Sequence, residues 1–321
     1  MLGDLHRLHW WVLRFIGEEK DMLTQEQEKK VEVAYERYRW AAKEAERLFD
    51  MPLVVQYSGG KDSDVILQLA KESGVPFRVT HNLTTADPPD NVYYIRRVFA
   101  ALREEGIDCR INVPRRSLWK IMRETLVIPS RVMRVCCSEL KERKMPDAPY
   151  IVTGVRWAES AGRRAKSGIA MVYNASARER GGEQAAAAAG LLTTDDASTR
   201  RLFEQCQLRG VRALNPIIDW SDDDVWSYLH SRGIEGNPLY KEGWTRIGCV
   251  GCPLAGRRAR ELAFARYPKI YKAWRDAITY VIERRKEMGN PMFLAGKEVE
   301  SMEDVLGAWC AGRLIGGWMN T

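Results

Sequence analysis

Two groups of residues in this sequence have types and spacings that could do chemistry. The first is Tyr57-Ser58-Gly59-Gly60-Lys61-Asp62-Ser63. Paired glycines let a backbone approach a ligand closely. Free amides and the dipole at a helix start favour an anion, and Lys61 adds a point charge. The chemistry is that of a phosphate cradle. It is not the Walker pattern, which needs a glycine where Val55 stands and a hydroxyl where Asp62 stands. The second group is Cys249-Val250-Gly251-Cys252-Pro253 together with the adjacent pair Cys136-Cys137. Two thiols plus two give the four thiolates that a [4Fe–4S] cluster requires, and a structural zinc would use the same number. Adjacent ligands are awkward for either, so spacing leaves both open. Cys206 is a fifth candidate. Cys109 reads as a buried apolar residue in a strand, and Cys310 as packing rather than a nucleophile.

These residues need elements to hold them. Leu53 to Val55 is an apolar, partly β-branched run that predicts a buried strand ahead of the glycine turn. Val65, Ile66, Leu69 and Ala70 follow at helical spacing. Phe77–Thr80, Cys109–Val113 and Tyr150–Thr153 predict further strands, separated by helices through Tyr93–Leu102 and Leu118–Met122. Repeated βα units predict an α/β fold, a doubly wound parallel sheet covered on both faces. Ligands of such sheets bind beyond the carboxyl ends of the strands. Ser58–Ser63, His81–Asp87 and Gly154–Ser160 all fall at such ends.

Residues 1–50 predict a helical segment, with Thr24 and Gln27 as a capping box. Val31, Ala34, Tyr38, Ala41, Ala45 and Leu48 line its apolar face. Its expected role is packing on the nucleotide domain; Trp10, Trp11 and Phe15 offer a homodimer contact instead. Residues 51–256 form the expected nucleotide-binding domain. An insertion at about 163–200 reads as a structureless connection, either a basic flap or a solvated loop. It carries Arg163, Arg164, Lys166, Arg178 and Arg180, then Gly181-Gly182 and five alanines. Residues 257–321 form a C-terminal helical region, with one long amphipathic helix over Arg266–Met288 and a short final helix from Ser301.

The 321-residue chain carries a formal net charge of +7 with 29% charged residues, ordinary globular usage that suits an anionic ligand, nucleic acid included. Trp10-Trp11-Val12-Leu13 is too short for a membrane span and lacks a small-residue cleavage site. Seven cysteines without a secretion signal point to a reducing compartment, so the expectation is a cytoplasmic protein without membrane contact.

Taken together these pieces resemble the phosphoadenosine phosphosulfate (PAPS) reductase family of the adenine-nucleotide alpha-hydrolase, or PP-loop, superfamily. The matching residues are Ser58–Ser63, Thr84 through Pro89, Cys136-Cys137 with Lys141, Thr153-Gly154-Val155-Arg156 with Glu159-Ser160, Asn215–Trp220 with Asp224-Val225-Trp226, and Asn237-Pro238-Leu239-Tyr240 leading to Cys249 and Cys252. The resemblance covers roughly residues 50–256. It is nearest to cluster-bearing members, the adenosine phosphosulfate reductases and the ATPase of DNA phosphorothioation. It implies that Ser58, Gly59, Gly60, Lys61, Asp62, Ser63, Thr84, Gly154 and Arg156 bind the nucleotide, with Lys61, Asp62 and Arg156 catalytic. It also favours a [4Fe–4S] cluster over zinc on Cys136, Cys137, Cys249 and Cys252.

The sequence departs from the sulfonucleotide reductases in three places. Their Glu-Cys-Gly-Leu-His element is not found, and Cys310 is followed by Ala311-Gly312-Arg313. Leu83-Thr84-Thr85 replaces Asp-Thr-Gly, and Asp90 stands where glutamate is usual. The expectation is therefore an ATP pyrophosphatase using Mg²⁺, which adenylylates an acceptor and serves sulfur transfer to a nucleic acid, with a sulfur-donor protein as a further partner. Two alternatives stand beside it. One is an adenosine phosphosulfate or PAPS reductase acting through Cys310 with thioredoxin. The other is a non-catalytic nucleotide- or nucleic-acid-binding subunit.

Overall fold

The computed structural model describes residues 22–131, 133–141, 148–173, 190–205, 211–294 and 297–311. Helix α1 (Gln25–Phe49) starts at the expected capping box, with the Gln27 amide donating to Thr24 Oγ1 at 3.2 Å and the Thr24 amide to Gln27 Oε1 at 3.0 Å. Val31, Ala34, Tyr38, Ala41 and Ala45 are all buried along it, and Leu48 is half-buried. Trp10, Trp11 and Phe15 lie outside the described residues.

A seven-stranded sheet follows, in the order β3-β2-β1-β4-β7-β5-β6. Its strands are β1 (Leu53–Gln56), β2 (Phe77–Asn82), β3 (Cys109–Asn112), β4 (Tyr150–Val152), β5 (Ala170–Tyr173), β6 (Gly190–Leu192) and β7 (Val211–Leu214). Between and after them run helices α2 (Lys61–Ser73), α3 (Pro89–Glu104), α4 (Leu118–Thr125), α5 (Val135–Leu140), α6 (Ala161–Lys166), α7 (Ala197–Gln205) and α8 (Asp222–Ser231). Strand β1 pairs parallel with β2 and β4, and β4 parallel with β7. Leu53, Val54 and Val55 are fully buried, as the continuous apolar run requires of a strand covered on both faces. The α/β, doubly wound reading holds, with one addition. Strands β5 and β6 run antiparallel on the β7 edge.

Those two strands correct the reading of 163–200 as structureless. The segment includes most of α6, strands β5 and β6, and the start of α7. Asn215 ties it down, its side-chain amide donating to the Gly168 carbonyl at 2.7 Å. Arg178, Arg180 and the alanine run lie outside the described residues.

The chain divides into two compact units. The first comprises residues 1–80, 97–109 and 145–240 and holds α1, β1, α2, β4 to β7 and α8. The second comprises residues 81–96, 110–144 and 241–321. Its core gathers Leu118, Ile121, Met122, Ile278, Val281 and Val305 around Trp274 and Trp309, whose rings meet edge to face at 5.3 Å. The helix expected over Arg266–Met288 is α10 (Pro268–Glu287), and a separate helix, α9 (Arg257–Arg266), precedes it. Proline has no amide to continue a helix but fits the first helical position, so the break falls before Pro268. Among the described residues, no helix is long and apolar enough to cross a membrane.

Candidate nucleotide site and thiol group

In the first unit, three neighbouring parallel strands end side by side. The loop after β1 and the start of α2 carry Ser58–Asp62, the loop after β4 carries Gly154–Arg156, and the chain after β7 leads to Trp220 and Asp222. That adjacency is what brings together residues nearly a hundred positions apart. Gly59 takes a left-handed φ of 75° to make the turn, and α2 begins at Lys61 with Gly60 as its cap.

Lys61 is 7% exposed and Arg156 only 2%. Lys61 Nζ lies 3.1 Å from Asp62 Oδ1 and 2.8 Å from Asp222 Oδ1. Arg156 donates through Nε to Asp62 Oδ1 and through Nη2 to Asp222 Oδ1, each at 2.7 Å, and through Nη1 to the Trp220 carbonyl at 3.2 Å. The guanidinium is thus not spent on Glu159, whose carboxylate accepts the Arg156 backbone amide at 3.3 Å. Two buried cations converge on two carboxylates at the head of a helix, an arrangement that can bind an anion. Gly154 packs directly on this loop. A Cβ there would stand 3.0 Å from both Cβ and carbonyl oxygen of Asp62.

Other predicted contacts have local duties. Ser63 Oγ accepts the Gly60 amide at 3.0 Å and donates to the Gly60 carbonyl at 2.7 Å, so it shapes the turn. Ser58 is exposed at the turn's lip. Three contributors were not assigned roles by sequence reasoning. The Tyr240 hydroxyl accepts the Lys61 amide at 2.9 Å, the Asn237 side chain donates to the Gly59 carbonyl at 3.0 Å, and Asp222 pairs with both cations. Tyr240 is held in turn by an edge contact with Trp226, ring centres 5.1 Å apart. Asn237 and Tyr240 stand in the Asn-Pro-Leu-Tyr motif, the one signal that could have found them.

Thr84 lies in the second unit, buried beside the thiols. Its amide donates to Asp87 Oδ2 at 2.6 Å, and its hydroxyl accepts from Cys249 Sγ at 3.3 Å. The Cys249–Cys252 loop is clamped by Val250, whose amide donates to the Ala86 carbonyl at 2.7 Å and whose carbonyl accepts from Trp274 Nε1 at 2.8 Å. Gly251 takes a φ of 75° there, and any Cβ would fall 2.4 Å from Trp274 Nε1. Cys136 and Cys137 sit on the short helix α5. A hydrogen bond between their sulfurs pushes the Cys136 thiol up and pulls Cys137 down, the latter aided by Arg134 and Lys141 against the effect of burial. Burial pushes the Cys249 thiol up, against the pull of Lys141. The four thiols are half-buried. In number and kind they fit a four-thiolate cluster, with Lys141 and Arg134 at hand to offset negative charge. Their side chains are not drawn together, however: no group of three or more cysteine, histidine, aspartate or glutamate residues is gathered for a metal among the described residues. Cys206 lies outside the described residues. Cys109 is buried in β3 as expected. Cys310 is exposed rather than packed, and buried Arg260 donates to its sulfur at 3.0 Å.

The family model of the phosphoadenosine phosphosulfate reductase domain matches residues 52–255. Among curated proteins, the adenosine 5'-phosphosulfate reductase of Burkholderia cepacia is 38% identical over 64 residues, which is 20% of this chain and 26% of that enzyme. An uncharacterised protein of Methanocaldococcus jannaschii is 25% identical over 246 residues, 73% of this chain and 42% of that one. The matched part thus spans a quarter to two-fifths of those relatives' length. A PAPS reductase structure from Candida auris covers 71% of this chain and 96% of its own, at 16% identity and a TM-score of 0.42.

Proposed function

The chain belongs to the phosphoadenosine phosphosulfate reductase domain family, and we propose that within it this protein is an ATP pyrophosphatase that adenylylates an acceptor for sulfur transfer, the acceptor being a nucleic acid. The observation that carries this reading is the convergence of buried Lys61 and Arg156 at the glycine turn. Held rigidly beside the helix start, they would stabilise charge on a departing pyrophosphate without reorganising, which is catalysis by positioning and electrostatics. Asp62, fixed between the same two cations, would orient them and could share a Mg²⁺ with the phosphates. Gly154 lets the two loops pack in direct contact at Asp62.

Cys136, Cys137, Cys249 and Cys252 would hold a [4Fe–4S] cluster. Bound there, a cluster would supply sulfur-handling or redox chemistry to the acceptor. The protein's own contribution is the cationic surround of Lys141 and Arg134 and the clamped loop around Gly251.

The test is thermal stabilisation of anaerobically prepared protein by MgATP, adenosine phosphosulfate and PAPS side by side, followed by pyrophosphate release. MgATP should stabilise by about 2.7 kcal/mol at 100 times its dissociation constant. Lys61→Ala should reduce pyrophosphate release by roughly 10²- to 10³-fold, the cost of removing one donor to a developing anion. Unchanged turnover in Lys61→Ala would sink the proposal. A shift with a sulfonucleotide alone would favour a reductase. The exposed Cys310, whose sulfur accepts from Arg260, is the residue to test in that case.

A further inference from the structure

The two buried cations of the glycine turn share one partner that no motif requires. Lys61 Nζ and Arg156 Nη2 lie 2.8 Å and 2.7 Å from the same oxygen, Oδ1 of Asp222. The side chains of the pair are 9% and 3% exposed, whereas that of Asp222 is 71% exposed. Asp62, their other partner, is fixed by its place in the turn; Asp222 reaches in from outside. The backbone donor at Lys61 is likewise taken by a side chain, the Tyr240 hydroxyl. A carboxylate oxygen bridging a lysine and an arginine has the charge and reach of a phosphoryl oxygen.

We propose that Asp222 is an internal stand-in for the substrate's phosphate, holding Lys61 and Arg156 in place and yielding to the nucleotide, so that it sets the affinity of the site. This rests on the nucleotide-binding reading above. Three observations fit an exchangeable carboxylate. Helix α8 is capped by Ser221 and Asp224, whose side chains bond each other's backbone amides at 3.1 Å and 2.8 Å, so the helix does not need Asp222 for its start. As the first residue of α8, a released Asp222 still lies in the favourable field of the helix amides. Its carboxyl is held below the usual range, first by the Lys61 hydrogen bond and then by Arg156 against partial burial, so it is ionised at neutral pH and competes as an anion. A site that is open only part of the time binds more weakly by that fraction.

The experiment is calorimetric titration of inorganic pyrophosphate and of MgATP into wild type, Asp222→Asn, Asp223→Asn and Lys61→Ala, all checked for equal melting temperature. Asp222→Asn should bind both ligands about 3- to 10-fold more tightly, the release expected from an exposed ion-pair network. Asp223→Asn makes the same charge change one residue on, and screening in physiological salt should keep its affinity within about twofold of wild type. Lys61-dependent binding that is unchanged or weaker in Asp222→Asn would overturn the stand-in while leaving the nucleotide reading intact. Equal tightening by Asp223→Asn would reduce the effect to general charge and overturn it too. Binding of neither ligand by wild type or Asp222→Asn would overturn both.

Discussion

Gly154 separates what a residue's identity says from what its neighbours demand. Its φ lies outside the left-handed region, so the backbone would accept alanine; the obstacle is Asp62, whose backbone carbon and oxygen stand 3.1 and 3.0 Å from any added Cβ. Those are backbone atoms of the turn and cannot swing away. Gly154→Ala should therefore cost about 1–3 kcal/mol of stability in denaturant melts, the usual cost of overpacking, and should weaken MgATP binding by moving Asp62 and Lys61. A variant with wild-type stability and affinity would show that the two loops can part freely. Lys61 and Arg156 were legible in the sequence because a glycine turn after an apolar strand, and an arginine after the next strand of the ligand edge, each point to the same place. Asp222 was not. It is one of three successive aspartates before a helix, and helix-start charge accounts for all three equally well. Only the ending of β7 beside β4 singles it out.

Helix α8, which carries Asp222, is anchored at its far end by Glu72 near the end of α2. Glu72 accepts from Tyr228 of α8 at 2.8 Å, from Arg232 at 2.8 Å, from Gln68 at 2.9 Å and from Tyr35 of α1. Burial pushes its carboxyl up, but these donors, Arg232 foremost, prevail and hold it at about 2 against an ordinary 4.5. A carboxyl depressed in the fold contributes stability that is complete above about pH 4.5 and is lost as the pH falls toward 2. Glu72→Gln should therefore destabilise the protein at pH 7 by about 1–2 kcal/mol once solvent screening is allowed for. The gap to wild type, followed by urea melts, should narrow from pH 4.5 downward. A gap that is constant with pH would assign the loss to packing instead. The helices and parallel strands here were legible because apolar runs and caps act locally, as Thr24 with Gln27 and Ser221 with Asp224 do. Strands β5 and β6 were not: they are four and three residues long, β5 held between β7 and β6 and β6 held on β5, rather than by any periodicity of their own. The start of α10 was legible too, since Pro268 suits a first helical position.

At the scale of the whole molecule, the charge of +7 is far from evenly spread. Residues 257–287, which hold α9 and α10, carry ten lysines and arginines against four acidic residues, a surplus of six. The apolar face of α10, with Trp274, Ile278 and Val281, is buried in the second unit's core, while Arg258, Lys269, Lys272 and Arg275 are exposed. Exposed cations are commonly no more than a solvated surface, and their ion pairs in this stretch, such as Arg257 with Glu261 and Lys272 with Asp276, contribute little to stability. The two roles separate by salt. If these helices bind nucleic-acid phosphates, association with a duplex should weaken steeply with ionic strength, because each neutralised phosphate releases counterions. Arg258→Glu combined with Lys269→Glu should then lower the slope of log K against log salt by roughly 2, about 0.9 for each phosphate no longer neutralised. Both positions are exposed, so melting temperature should barely move. A lowered slope with an intact fold would make α9 and α10 the nucleic-acid face of this protein. An unchanged slope would make the basic surplus a solvated surface, and the acceptor would have to be sought among molecules that are not polyanions.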